Sequence, residues 1–414
     1  MSELGSRPSS CSTSITIISA ALLGIGMVMV FSASANLGAP PITHQITLNP
    51  SFRHAIYTVA GLIVLLAMGL MPYEWWRIRP GGKFQPTVLL MGVAIVLLVA
   101  VLFVGEQKKG ATRWLSLGGG LSFQPSEVAK LAVVVFFAAA CSQYRERLRR
   151  FWTGLLPLLL LLGAVVALIG YDDFGTAVLI LIVGGCILLA AGARIWHLGL
   201  LSGPAVAGLA YLVISKPHRI ERIMSFLDPE ADPQGSGYQG IQSLITIASG
   251  GWWGRGLGQG IQKYDYLPEG RSDFIFAVIC EELGAVGGVA VILLFALLVW
   301  HGRKAILSAA TDFGRLLALG ATLTIGFQAA LNIAVVTVSV PTKGIGLPLV
   351  SAGGTSVLFL SFLIGMLANV ARARPPQAIP LPAAWEVVAE TPAASSVPEP
   401  RQPLSSAPAA SETE

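Results

Sequence analysis

Charge is scarce in this sequence. Asp, Glu, Lys and Arg together make up 12% of its 414 residues, about half the share of an ordinary soluble domain. So few charges cannot cover a water-facing surface, and a soluble globular fold is excluded. Cysteine is scarce too, with four residues at 11, 141, 186 and 280. They are scattered, and three fall in or beside apolar stretches. Neither a disulfide framework nor a metal spacing exists among them, and they read as small apolar packers. The glycine-rich run at 250–260 lacks the strand-to-helix setting of a dinucleotide fingerprint. Asp173-Phe174-Gly175 and Asp312-Phe313-Gly314 repeat a kinase tripeptide without the loops that give it meaning.

What is present is apolar. Hydrophobic residues account for 54% of the chain and gather in long blocks. Crossing about 30 Å of hydrocarbon takes about 17–25 helical residues. Ten blocks qualify: 14–33, 54–71, 86–105, 126–142, 154–170, 175–192, 198–215, 274–300, 313–338 and 348–370. The expected fold is all-α, a polytopic integral membrane protein of about ten transmembrane helices. The first block ends in Ser32-Ala33-Ser34-Ala35, which resembles a signal cleavage site. Its apolar stretch is longer than a signal peptide needs and only Arg7 precedes it, so it is read as a retained span.

The net charge of +5 sits mostly in short loops, where it speaks of topology and anionic lipid rather than nucleic acid. Arg77, Arg79 and Lys83 lie in one loop, and Arg145, Arg147, Arg149 and Arg150 in another. Arg303 and Lys304 follow the eighth span, and Arg372 and Arg374 the tenth. With ten spans all these loops share a side, which places both termini in the cytoplasm. The expected organisation is a cytoplasmic segment at 1–13, a transmembrane domain at 14–371 and a cytoplasmic tail at 372–414. The tail is rich in Pro, Ala, Ser and Glu and is expected to be disordered. A large extracytoplasmic loop, 216–272, separates the seventh and eighth spans.

That loop is too long to be structureless. Ile220, Ile223, Met224 and Leu227 repeat at helical spacing, as do Ile241, Leu244, Ile245 and Ala248. Each set predicts a short amphipathic helix suited to the membrane surface. Arg219 and Arg222 share a neighbouring face. Trp252 and Trp253 stand among glycines and suit the headgroup level. In the segment 106–125, Trp114, Leu115 and Leu117 are apolar residues able to dip into the interface. A loop that merely hugs the membrane explains these features as well.

Ionisable residues inside spans need a reason, because each is costly there. Glu127 and Lys130 fall in the first turns of the fourth span, three apart, where they pair either to seat the helix or to serve substrate. Glu281, with Glu282 beside it, lies well inside the eighth span. Gly284 and Gly288 would share the face of Glu281, giving a close helix contact, with Glu281 as a structural acceptor or a functional group. Asp273 opens the eighth span after the amphipathic segment, and Asp173 opens the sixth. An Asp at such a place is either a helix N-cap or a functional carboxylate.

Four segments resemble the SEDS family, which comprises FtsW, RodA and SpoVE. They are Gly110-Ala111-Thr112-Arg113-Trp114 with Phe123-Gln124-Pro125-Ser126-Glu127-Val128-Ala129-Lys130; Asp173-Phe174-Gly175-Thr176-Ala177; the run from Arg222 to Gly284; and Pro341 to Ser356. Pro341-Thr342-Lys343-Gly344, Tyr266-Leu267-Pro268-Glu269 and Gln242-Ser243-Leu244 are written as in the division-type branch. Asp172, Ser272 and Ala352 depart from the family's usual Pro, Thr and Tyr. The resemblance implies a peptidoglycan glycosyltransferase of the bacterial cytoplasmic membrane. Such an enzyme polymerises lipid II with a class B penicillin-binding protein and other divisome proteins. It implies that Asp273 is catalytic and that Arg113, Trp114, Glu127 and Lys130 matter to function.

The chemistry sets further expectations. A base must take the proton of an acceptor hydroxyl, and cations must hold the leaving pyrophosphate. Asp273 is the expected base. Arg113, Lys130, Arg219 and Arg222 are the expected phosphate contacts, with Trp114, Glu127 and Glu281 as further substrate-binding candidates. No metal ligand set is read from the sequence, although a divalent cation (Mg or Mn) is compatible with the leaving group. The competing reading is a lipid II flippase, whose charges would lie nearer the membrane midplane.

Overall fold

The computed structural model describes residues 10–34, 50–79, 81–82, 85–108, 111–116, 122–261 and 266–373, all within one compact unit, Met1–Pro375. Readings that touch residues 1–9, Lys83, Gly110, Leu117 and 374–414 lie outside the described residues. Twelve helices are described: α1 (Ser10–Ser34), α2 (Pro50–Leu70), α3 (Pro86–Val104), α4 (Pro125–Gln143), α5 (Leu156–Gly170), α6 (Phe174–Ala190), α7 (Ile195–Ile214), α8 (Pro217–Leu227), α9 (Tyr238–Gly250), α10 (Ile275–Ser308), α11 (Asp312–Val336) and α12 (Gly354–Arg372). Among the described residues, eight helices are long and apolar enough to cross a membrane, with α6 and part of α7 as shorter apolar helices. The expected spans correspond one to one with these ten, and the protein is a multi-pass membrane protein.

The helices form because their residues are uniformly apolar, and they end where that character stops. Pro86 and Pro125 occupy first turns, where the missing N–H has no partner to lose. Asp173 caps α6 by accepting from Thr176 N at 3.1 Å. α4 is the central helix: almost every residue from Pro125 to Cys141 is buried, against α3, α6, α11 and α12. Outward-facing helices show the reverse. α3 exposes Val88, Leu89, Val93, Val96, Leu102 and Phe103. Large apolar side chains both inside and outside are what a lipid solvent permits.

The segment after α3 forms a small antiparallel sheet: β1 (Glu106–Lys108), β2 (Ala111–Ser116) and β3 (Ser122–Phe123), in the order β1-β2-β3.

α8 and α9 stand where the amphipathic spacing put them. α8 buries nothing, and Ile220, Ile223, Met224 and Leu227 are exposed. α9 packs its small and polar face, Gly240, Ser243, Thr246 and Gly250, inward and exposes Leu244 and Ile245. The apolar stripes thus face away from the protein, as a surface helix in lipid does.

α10 is 34 residues long, about 51 Å at 1.5 Å per residue, and it is broken once. Gly284 has φ 73° and ψ −176°. A Cβ there would lie 2.3 Å from Trp252 O and 2.4 Å from Gly254 N, so only glycine fits. The break frees backbone groups that the glycine-rich turn after α9 takes up. Arg255 N donates to Glu281 O, Gly256 N to Glu282 O, and Ala285 N to Gly251 O. The kink is therefore a docking point with its polar groups satisfied.

Candidate functional site

The break in α10 decides the role of Glu281. The sequence reading placed Glu281, Gly284 and Gly288 on one helix face. Gly284 instead leaves the helix, and Glu281 Oε1 accepts from Ile261 N at 2.8 Å. Glu282 accepts from Ser32 Oγ and, at 3.0 Å, from Gly258 N. Both carboxylates fasten the glycine-rich turn, and Glu281 is not part of the cleft described next.

That cleft has a volume of about 180 Å³ and is lined by the loop after α5, the start of α6, α8 and the segment before α12. Three elements bring their cations to it. β2 supplies Arg113, α8 supplies Arg219 and Arg222 along with His218, and the irregular segment 337–353 supplies Lys343. Asp172 and Asp173 are the lining carboxylates, so positive charge prevails. Asp273 stands at its edge. A methyl group on Gly344 would sit 3.2 Å from Asp273 Oδ2 and 3.3 Å from Arg113 Nη2. The carboxylate and the guanidinium therefore flank one glycine of the cleft wall.

Each lining residue has a local reason for its position. Arg113 lies 3.7 Å from Asp173 Oδ2, and Gln124 Nε2 donates to the same oxygen. Asp173 is thus an N-cap and an anchor for Arg113 at once. Phe174 follows it, with the Lys343 amine 5.2 Å and the Arg219 guanidinium 5.7 Å from its ring centre, both within cation–π range. Asp172, the departure from the family's proline, accepts from Thr112 Oγ1 at 2.7 Å and faces Lys216 at 4.0 Å. It joins β2 to the start of α8.

The electrostatics follow from crowding. Desolvation pulls the Lys343 amine below the usual lysine range, and Asp173 partly restores it. Arg222 is lowered by desolvation and by Arg113, and raised by Asp273. His218 is held below the ordinary imidazole value by desolvation, then by Arg222, Arg219 and Lys216, against a small opposing pull from Glu221. The segment 337–353 carries strain as well: Val338 and Leu349 adopt φ of 53° and 63°, a conformation that non-glycine residues hold only under constraint.

A narrower groove adjoins the cleft and shares Arg113, Asp172 and Asp173 with it. Its other walls are Leu98, Val101 and Leu102 of α3 and Leu168 and Ile169 of α5, with Pro125 and Ser126. Leu102 is exposed on the outer face, so the polar cleft connects to an apolar flank.

Several expected residues are elsewhere. Trp114 follows Arg113 on β2, and neighbours on a strand point to opposite faces; it pairs in register with Glu106 and does not line the cleft. Lys130 was expected to reach the leaving group. It is only 6% exposed and its Nζ is 2.9 Å from Glu127 Oε2 and 2.9 Å from Gln328 Oε1. The pair is buried beneath the cleft, because the first turn of α4 faces the protein interior. Arg219 does line the cleft, but Nη1 bonds to Leu212 O and Nη2 donates to Gly170 O and Tyr171 O. It clasps the ends of α5 and α7. Asp273 precedes the N-cap of α10, which is Phe274. Among the described residues no group of three or more His, Cys, Asp and Glu converges as a metal site.

The sequence reading missed Lys343 and His218 in the cleft, and Gln328 and Asn332 behind it. Lys343 lay in a motif used only to recognise the family. Gln328 and Asn332 carried a usable signal, two amides four residues apart in an apolar span.

Comparison with known proteins covers nearly the whole described chain. The family model FtsW/RodA/SpoVE, described as cell cycle protein, matches residues 13–375. The "Probable peptidoglycan glycosyltransferase FtsW" of Halomonas elongata is 41% identical over 380 residues, spanning 89% of this chain and 92% of that one. Stage V sporulation protein E of Bacillus subtilis is 39% identical over 86% of this chain and 96% of its own. Two solved structures share the fold. A chain of a peptidoglycan synthase complex that coordinates polymerization and crosslinking has a TM-score of 0.66 and 29% identity, covering 86% of this chain and 96% of that chain. The rod shape determining protein RodA of Thermus thermophilus has a TM-score of 0.60 and 25% identity, covering 87% and 96%. With identity sustained over this length, the chain belongs to the FtsW/RodA/SpoVE family of cell cycle proteins.

Proposed function

We propose that this chain is a peptidoglycan glycosyltransferase that polymerises lipid II in the cytoplasmic membrane during cell division. The observation that carries the reading is the convergence of Asp273 and Arg113 on Gly344, at the edge of a cationic cleft that opens toward an apolar groove. Lipid II has the matching order of parts: a sugar, a pyrophosphate and a polyprenyl tail. The FtsW of Halomonas elongata bears the name of this activity. The synthase complex among the structural relatives supports a penicillin-binding protein as partner. The basic short loops support an orientation with both termini in the cytoplasm and the cleft outside.

Arg113, Arg222 and Lys343 are the cations best placed for the pyrophosphate, since Arg219 gives three of its five N–H donors to carbonyls. An acceptor hydroxyl attacks the anomeric carbon from the face opposite the leaving group. A new C–O bond forms, the bond to the pyrophosphate breaks, and the electron pair leaves on the phosphate oxygen. The hydroxyl proton goes to Asp273, and the configuration inverts. Aspartate is a weak base in water, so its task is to orient the hydroxyl and take the proton as the new bond forms. The cations hold the charge that develops on the departing oxygen.

The test is polymerisation of labelled lipid II by the purified chain, with and without a class B penicillin-binding protein. Asp273→Asn is expected to insert normally and make no polymer. Polymer made by this variant at the wild-type rate would overturn the assignment of Asp273. Translocation of lipid II across vesicles without any polymer would point to a flippase instead.

A further inference from the structure

Gln328 and Asn332 lie one turn apart on α11, so their side chains share a face. They are 2% and 0% exposed, and neither lines the cleft. Asn332 Nδ2 donates to Asp273 O at 2.7 Å and to Ile345 O at 2.8 Å. A carboxamide has two N–H donors, and Asn332 uses both to join two separate segments of chain. Gln328 Nε2 donates to the next carbonyl along, Gly346 O, at 3.0 Å. Its Oε1 accepts from Lys130 Nζ at 2.9 Å, and Lys130 is held by Glu127.

The same two segments are bound together a second way. Ser351 Oγ donates to Ser272 O at 2.6 Å, and Ala352 N donates to Arg271 O at 3.0 Å. Three successive carbonyls, of Arg271, Ser272 and Asp273, are therefore each held from outside α10. Two are held by the segment 337–353 and one by α11. The Asp273 main chain cannot shift without breaking a partly buried hydrogen bond.

We propose that Asn332 and Gln328 are positioning residues that set the Asp273 carboxylate against the cations of the cleft. Asn332 ties Asp273 to Ile345, two residues from Lys343. Gln328 ties the adjoining carbonyl to the buried Lys130–Glu127 pair of α4. Together they hold the Asp273 carboxylate and the Lys343 loop in one frame without touching substrate. The frame is a feature of the packing. What it positions rests on the glycosyltransferase reading.

The experiment uses the full chain with a class B penicillin-binding protein and labelled lipid II, comparing wild type, Asn332→Leu and Gln328→Met. Leucine and methionine keep the volume and remove the donors. Asn332→Leu is expected to lower kcat about 100-fold with KM within about threefold, the pattern of a misplaced reacting group. Gln328→Met is expected to lower kcat about tenfold. Hydrogen exchange supplies the readout that general destabilisation would not reproduce: faster exchange confined to residues 271–275 and 343–347. A kcat within threefold of wild type, or exchange raised throughout α10 and α11, would overturn the proposal. If Asn332→Leu fails to insert, Gln328→Met is judged by the same two measurements. A wild type that makes no polymer would reject the enzymatic reading, while the exchange pattern would still decide the frame.

Discussion

At the scale of single residues, Gly344 is a sensitive position in the cleft wall. A Cβ there would press on both Asp273 Oδ2 and Arg113 Nη2, at 3.2 and 3.3 Å, so one of them must yield by a few tenths of an ångström. Gly344→Ala is therefore expected to cut polymerisation roughly tenfold, because reacting groups tolerate little displacement. Stability should change by no more than about 0.5 kcal/mol, since no core contact is lost. Unchanged turnover in this variant would mean that the carboxylate and guanidinium do not act together. His218 offers a second test. Its pKa lies below the ordinary value in the free protein through desolvation, Arg222, Arg219 and Lys216. A bound pyrophosphate brings opposite charge and raises it. Binding then takes up a proton, so lipid II affinity should rise about threefold as pH falls from about 7.5 to 6. His218→Gln should flatten that slope, and titrations of both proteins against pH provide the check. An identical slope in the variant would remove His218 from the site.

At the scale of elements, the first turn of α4 matters most. Glu127 and Lys130 form an ion pair at 2.9 Å with both side chains almost fully buried. Removing one partner strands a charge, so Lys130→Ala should cost about 3–5 kcal/mol. The double change Glu127→Gln with Lys130→Met removes both charges and should recover most of that stability. Because Lys130 lies beneath the cleft, the double variant should also keep activity within about tenfold of wild type. Thermal unfolding and polymerisation on the single and double variants give the answer. A double variant that is stable but inactive would restore Lys130 as a phosphate contact. The broken α10 makes the same point about elements. Its kink at Gly284 is held by the turn after α9, which leaves a short, separately braced piece of helix directly after Asp273.

At the scale of the whole molecule, α4 is enclosed by α3, α6, α11 and α12, while α9 packs on α10 and α8 on α7. Trp252 and Trp253, 75% and 83% exposed, project from the turn that docks on α10, at a level suited to lipid headgroups. The proposed orientation has a direct test. Glu230 is exposed within the segment between α8 and α9, and Glu230→Cys should react with a membrane-impermeant thiol reagent in intact cells. Protection of this cysteine in a correctly inserted protein would invert the topology and move the cleft to the cytoplasmic side.

The ten spans and the two amphipathic helices follow from the sequence because their cause is local. Hydrocarbon thickness sets a length, and helical periodicity sets a face. Arg113 and Asp273 were singled out through resemblance, and Arg222 through its helical face beside Arg219. The tertiary structure decided the rest. It brought Lys343 to Phe174 and His218 to the cleft, turned Trp114 away on the far side of a strand, and sank Lys130 beneath the site. It gave Glu281 to the glycine-rich turn and left Arg219 bound to carbonyls. In each case the deciding contact joins groups far apart in sequence, such as Asn332 with Asp273 and Ile345. Local pattern shows that a polar group inside a span needs a partner. Only the packing of one helix on another determines which partner it finds.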